Sequence, residues 1–237
     1  MLTPALNFES VDAFLRSDAE GLHAWVTRSR SRLVWFSIAA IVVGSGLYGA
    51  VVGSWRDSWQ ALHNGIKLPL VILLTALGNG LLNGMLAPLL GLNLGFRQSL
   101  VLVLISFAMA SLILGALSPV ALFLVWNTPP LGASTGFASL EYGFLQLTLA
   151  VFIASAGILG NLRLLPLLRR WTNKPAVARK VLFAWLAGNL FLGSQLAWIL
   201  RPFIGAPNLP VEFLRATAFH GNFYETVFNA ARRLAFP

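Results

Sequence analysis

The stretch SLVLVLISFAMASLILGALSPVALFLVW, residues 99–126, holds no charged side chain over 28 positions. Roughly 20 such residues are enough to cross the hydrocarbon core of a bilayer. Backbone groups in that core find no water, so the run is expected to be a helix that satisfies its own N–H and C=O groups. It is longer than a straight crossing needs, and Pro119 is a candidate kink.

Four further apolar runs flank it, at 33–53, 68–90, 140–161 and 181–200. The chain is 57% hydrophobic and 11% charged, with a mean hydropathy of +0.74, whereas about a quarter of the residues of soluble domains are charged. A water-soluble fold could not hide so much apolar surface. The expected fold is therefore all-α: one polytopic bundle of about five transmembrane helices, spanning 33–202, with amphipathic helices at the membrane surface. No internal repeat is visible.

Residues 1–32 read as an amphipathic arm. Val11, Phe14, Leu15, Leu22, Trp25 and Val26 fall near helical spacing after Ser10. Glu9, Asp12, Asp18 and Glu20 replace the basic start of a cleaved signal, so the first span is expected to stay as an anchor. In 55–66, Trp55, Trp59, Leu62 and Ile66 share one face and Arg56, Asp57, Gln60, His63 and Asn64 the rest, a pattern that predicts a helix lying flat in the interface. Pro69 suits the first turn of the span that follows. Beyond 203 an external segment is expected to end in an amphipathic helix, with Asn222 and Glu225 at capping-box spacing.

Five crossings put eleven Lys and Arg on the side of the N-terminus and six on the other, the densest group being Arg163, Arg169, Arg170, Lys174, Arg179 and Lys180. The bias predicts a cytoplasmic N-terminus beside anionic headgroups and a C-terminus outside or in a lumen; in a bacterium the membrane would be the inner one. Trp35 and Trp171 then fall at the inner face, and Trp55, Trp59, Trp126 and Trp198 at the outer one, as interface anchors. The Asn and Gly content of 68–90 leaves a re-entrant loop, with four crossings, as the alternative.

Absence of cysteine removes disulfides and thiolate sites. His23, His63 and His220 lie apart in surface segments with no metal-site spacing, so neither a metal, a cofactor nor an enzyme active site is expected. A net charge of +9 would suggest nucleic acid in a soluble chain, but here the cations border apolar runs, where lipid headgroups explain them.

Within the spans, Ala76, Gly80 and Gly84 form a small-residue stripe with Asn79 and Asn83 beside it, and Asn189, Gly193 and Ala197 form another with Gln195 nearby. Small residues let helices approach, and amides in lipid need partners, so Asn189 is expected to face Asn79 or Asn83. The sharper alternative is a polar path lined by Asn79, Asn83, Asn189 and Gln195. Glu141 and Arg201 would end adjacent spans as an ion pair. His220, Asn222, Tyr224 and Glu225 form a polar group that could touch a partner, or supply acid–base chemistry toward lipid.

Five spans, the N-terminal arm, the short outer tail and the entry WQALHNGIKLPL at 59–70 together resemble the Yip family, including its bacterial members. The resemblance implies a membrane-embedded adaptor that works through protein partners, in eukaryotes small Rab-type GTPases, and brings no catalytic motif. The leading expectation is a non-enzymatic membrane scaffold or accessory subunit that binds a protein partner or its own copies. A channel or carrier through the amide path is the alternative.

Overall fold

Each apolar run can satisfy its backbone in lipid only as a helix, and every regular element among the described residues is one. The computed structural model describes residues 30–92, 95–129, 136–170, 172, 174–204 and 210–225, without the side chains of 30 and 136–142. The helices are α1 (Arg30–Ser54), α2 (Ser58–Leu89), α3 (Phe96–Asn127), α4 (Gly136–Leu162), α5 (Leu165–Arg170) and α6 (Pro175–Leu200). Five helical segments are long and apolar enough to cross a membrane: α1, α2, α3, α4 taken with α5, and α6. The chain is an all-helical, multi-pass membrane protein. The arm over 1–29, Trp171 and the C-terminal helix beyond 225 lie outside the described residues.

Helix α3 is the centre, packed against α1, α2 and α4, while α6 rests mainly on α2. The lack of charge over 99–126 is what fits α3 to be surrounded. Leu102, Ile105 and Met109 join Leu33, Ile41 and Trp185 in one core cluster, and Leu114 and Ala121 join Tyr48, Leu145 and Leu149 in a second. Association in lipid depends on backbones coming close. A Cβ on Gly44 would overlap the Ser111 carbonyl of α3, and one on Gly49 or Gly53 would overlap the Asn64 or Gln60 carbonyl of α2.

The region expected to be a flat helix over 55–66 followed by a separate span is one unbroken helix of 32 residues, α2, capped by the Asp57 carboxylate accepting from Ser58 N at 2.6 Å. Pro69 sits in its interior rather than in its first turn. The ring removes the N–H that would bond the Gly65 carbonyl. That carbonyl faces Gly46 of α1, where a Cβ would stand 3.1 Å from it, so the missing side chain gives the kink-prone site room. At 1.5 Å per residue α2 is ~48 Å long, more than a ~30 Å core, so its first turns extend toward the headgroups.

The polar face of those first turns also departs from the expectation. Trp59, Leu62 and Ile66 are 64%, 52% and 51% exposed, while Gln60, Asn64 and Lys67 are buried. In lipid the apolar face points out, and the polar stripe is covered by a returning part of the chain.

The basic connection after α4 is likewise more than a loop. Leu164, Leu167 and Leu168 are fully buried against Ala178, Val181, Leu182 and Trp185 of α6, which recur on one helical face. Arg169 and Arg170 close α5 and stay exposed.

Candidate functional site

Two groupings of amide and charged side chains stand out in a bundle whose other buried polar side chains are chiefly Ser and Thr hydroxyls. The first is a chain of three asparagines. Asn79 Nδ2 donates to Asn189 Oδ1 and to the Trp185 carbonyl at 3.2 Å, linking α2 to α6. Asn189 Nδ2 donates to Asn161 Oδ1 of α4 at 3.0 Å, and Asn161 Nδ2 donates to the Gly157 carbonyl at 2.8 Å. Asn79 lies ten residues from the end of α2, about 15 Å along the axis and hence deep in the membrane. Gly188 makes the meeting fit, because a Cβ there would overlap Asn79 Oδ1.

The other sequence-selected residues of the spans divide around this chain. Asn83 is fully buried one turn from Asn79, and neither its Oδ1 nor its Nδ2 has a hydrogen-bond partner among the described residues. Gly80 and Gly84 pack on α3, where a Cβ would overlap the Leu100 side chain or the Phe96 ring. Gly193 contacts Thr75, at 3.6 Å from Cγ2 to an added Cβ. Gln195 does not join the amide chain; its Oε1 accepts from the Phe223 backbone N–H at 3.3 Å.

The second grouping is a clasp at the end of the bundle where α2 begins and α6 ends. Arg201 caps α6 in the left-handed region, at φ 47°, and its N–H reaches the Ala197 carbonyl at 2.8 Å. A non-glycine residue there is strained. The turn brings the Phe203 carbonyl onto the polar stripe of α2, where it accepts from Gln60 Nε2 at 2.8 Å and from Asn64 Nδ2 at 2.9 Å. Gln60 Nε2 also donates to Asn64 Oδ1 at 3.1 Å. One turn further, Lys67 Nζ donates to the Glu212 carbonyl at 2.9 Å and lies 5.3 Å from the centre of the Phe213 ring, which also packs edge-on against His63. The stripe Gln60, Asn64, Lys67 follows i, i+4, i+7 spacing, so one helical face makes all these contacts.

Arg201 stacks 4.6 Å above the Trp198 ring and donates from Nε to the Trp198 carbonyl at 3.2 Å. Burial, and then the neighbouring Arg215, hold its guanidinium below the ordinary value. The expected partner Glu141 lies in α4, with its side chain outside the described residues. Of the other anchors at this end, Trp55 donates to the Thr128 carbonyl at 3.4 Å, and Trp59 and Trp126 are exposed.

Of the group at 220–225, Tyr224 turns onto α6. Its ring stacks on Phe191 at 5.3 Å, and its hydroxyl donates to the Phe191 carbonyl at 3.0 Å and lies 2.6 Å from Ser194 Oγ. Asn222 Oδ1 caps the Glu225 N–H at 2.8 Å, and His220 and Glu225 are exposed.

Sequence reading passed over Asn161, taken only as a span end, and over Tyr48, whose buried hydroxyl donates to the Leu149 carbonyl at 3.0 Å between α1 and α4. It also passed over Gly46, Gly49 and Gly53, although their spacing of three and four marks a helix-contact stripe. Comparison of the chain with protein-family models, curated proteins and solved structures finds no match.

Proposed function

We infer that this protein is a non-enzymatic membrane scaffold or accessory subunit that acts through a protein partner or through copies of itself, in the manner of the Yip-like adaptors it resembles. The observation that carries this reading is the closure of the amide chain. Asn79, Asn189 and Asn161 bond one another and hold three spans together, which is a structural use of groups that a transport path would need open. Helix α6 supports it further, because Phe183, Leu190 and Phe191 face outward on a helix with little of its surface enclosed. The charge bias orients the N-terminus to the cytoplasm and the clasp to the outside or lumen, in a bacterium across the inner membrane, with 163–180 against anionic headgroups.

Purification in a gentle detergent followed by mass measurement tests this. A defined oligomer or a stoichiometric companion is the expected result, and a lone monomer from native membranes rejects the reading.

One observation favours a carrier or channel instead. Asn83 is a buried amide with no partner among the described residues, one turn from Asn79, whose Oδ1 has none among them either. Flux of a small solute or ion in reconstituted vesicles, abolished by Asn79→Leu or Asn83→Leu, would establish that alternative and displace the scaffold.

A further inference from the structure

Among the described residues, the clasp gathers cations that no side-chain carboxylate pairs with. Lys67 is 3% exposed, carries three N–H donors and has one described acceptor, the Glu212 carbonyl. The segment that covers it carries two more cations. Phe213 lies against Lys67 and leads two residues on to Arg215. The Phe203 carbonyl sits on Gln60 and Asn64, two turns and one turn before Lys67, and follows Arg201 by two residues. Arg215 acts electrostatically on both Lys67 and Arg201.

No carboxylate among the described residues pairs with any of the three. The Asp57 carboxylate caps α2, Glu225 faces Asn222, and Glu212 offers Lys67 its backbone oxygen rather than its side chain. A buried ammonium and two guanidinium groups in company are costly unless an anion joins them. The cluster also lies at the end of the bundle opposite the basic 163–180 connection, where the orientation bias of membrane proteins gives no reason for cations to collect.

We propose that Lys67, Arg201 and Arg215 form a binding site for the phosphate of an anionic phospholipid, whose acyl chains run inward along the exposed row Ile66, Leu74, Leu77 of α2. The surroundings select lipid over free phosphate. The row is apolar and exposed, begins one helical step from Lys67 and continues toward the bilayer centre, so headgroup and chains are met in sequence along one helix. Guanidinium forks suit the paired oxygens of a phosphodiester, and the Lys67 ammonium supplies a point charge beneath them.

Native mass spectrometry of the full chain in gentle detergent tests the site, with phosphatidylglycerol and phosphatidylcholine of matched chains as competing probes. The wild type is expected to retain phosphatidylglycerol preferentially. Arg215→Gln should cut that preference about fivefold, the worth of one cation at a lipid surface, and Arg215→Lys should largely keep it. Arg215 is half-buried and its side chain makes no hydrogen bond among the described residues, so the variant keeps the test open if Lys67→Met does not fold. The double variant Arg169→Gln, Arg170→Gln at the opposite end should not reproduce the loss. Equal retention of the two lipids, or an unchanged preference in Arg215→Gln, overturns the proposal. So does protection against thermal unfolding by inorganic phosphate with none from phosphatidylglycerol, which would assign the cluster to a soluble anion.

Discussion

Asn79 of α2 donates its amide N–H to Asn189 Oδ1 of α6, 110 positions away in the chain, and this pair is the main polar tie holding α6 to the bundle. An interhelical amide bond in a membrane contributes about 0.6 kcal/mol on average and up to ~1.7 kcal/mol. Asn189→Leu also strips Asn161 of its donor, so the single variant should cost about 1–2 kcal/mol. The double variant Asn79→Leu, Asn189→Leu should cost less than the sum of the singles by about 1 kcal/mol. Unfolding equilibria in bicelles or mixed micelles measure this cycle, and strict additivity would refute the pairing.

Asn83 supplies the opposite case. Its amide is enclosed without a described partner, and burying such a group costs on the order of 1–3 kcal/mol. Leucine has the same number of side-chain heavy atoms, branches at the same carbon and has no polar atom to desert. Asn83→Leu should therefore be neutral or stabilising by about 1 kcal/mol in the same assay. A loss of 2 kcal/mol or more would mean that the side chain has a partner in the working protein.

These two neighbours also show how far sequence reading reached. An amide in lipid must find another, and that rule alone predicts a partner for Asn189 on α2; it cannot say which of Asn79 and Asn83 turns toward α6. The five spans were legible because composition fixes them without knowledge of packing. The covered polar face of 58–67 was not, since Gln60, Asn64 and Lys67 look like a water-facing stripe until Phe203 and Glu212, about 140 residues later, cover them. Asn161 was hidden by its place at the edge of an apolar run. The stripe Gly46, Gly49, Gly53 was legible in principle, but small residues are common in spans and spacing does not reveal which of them meet backbone.

That stripe gives a contrast between glycines. Gly49→Ala places a Cβ on the Asn64 carbonyl, which is backbone and cannot step aside, whereas Gly157→Ala meets nothing within 4 Å. Gly49→Ala should separate α1 from α2 at a cost of about 1–3 kcal/mol, and Gly157→Ala should be neutral or slightly stabilising through helix propensity. Thermal unfolding followed by circular dichroism compares them. Equal stability of the two variants would contradict the close crossing of α1 and α2.

The clasp, finally, ties the start of the segment after α6 to two side chains of α2. The Phe203 carbonyl accepts from both Gln60 and Asn64, and no other described group bonds to it. Replacing both by leucine removes two hydrogen bonds of about 1 kcal/mol each from the closed state, while the strained turn at Arg201 continues to favour opening. Local opening should become roughly 30-fold more populated. Trypsin reads this directly, because Arg215 lies in the clasped segment and the bond after Arg201 is shielded by Pro202. Where reclosing is faster than cleavage, the rate tracks the open population. In nanodiscs, cleavage after Arg215 should thus accelerate by about that factor in the double variant, and Trp59→Ala on the outward face should leave it unchanged. If Gln60→Leu with Asn64→Leu is cut no faster than the wild type, the segment is held by something other than this carbonyl, and the clasp is not what positions the cations beyond it.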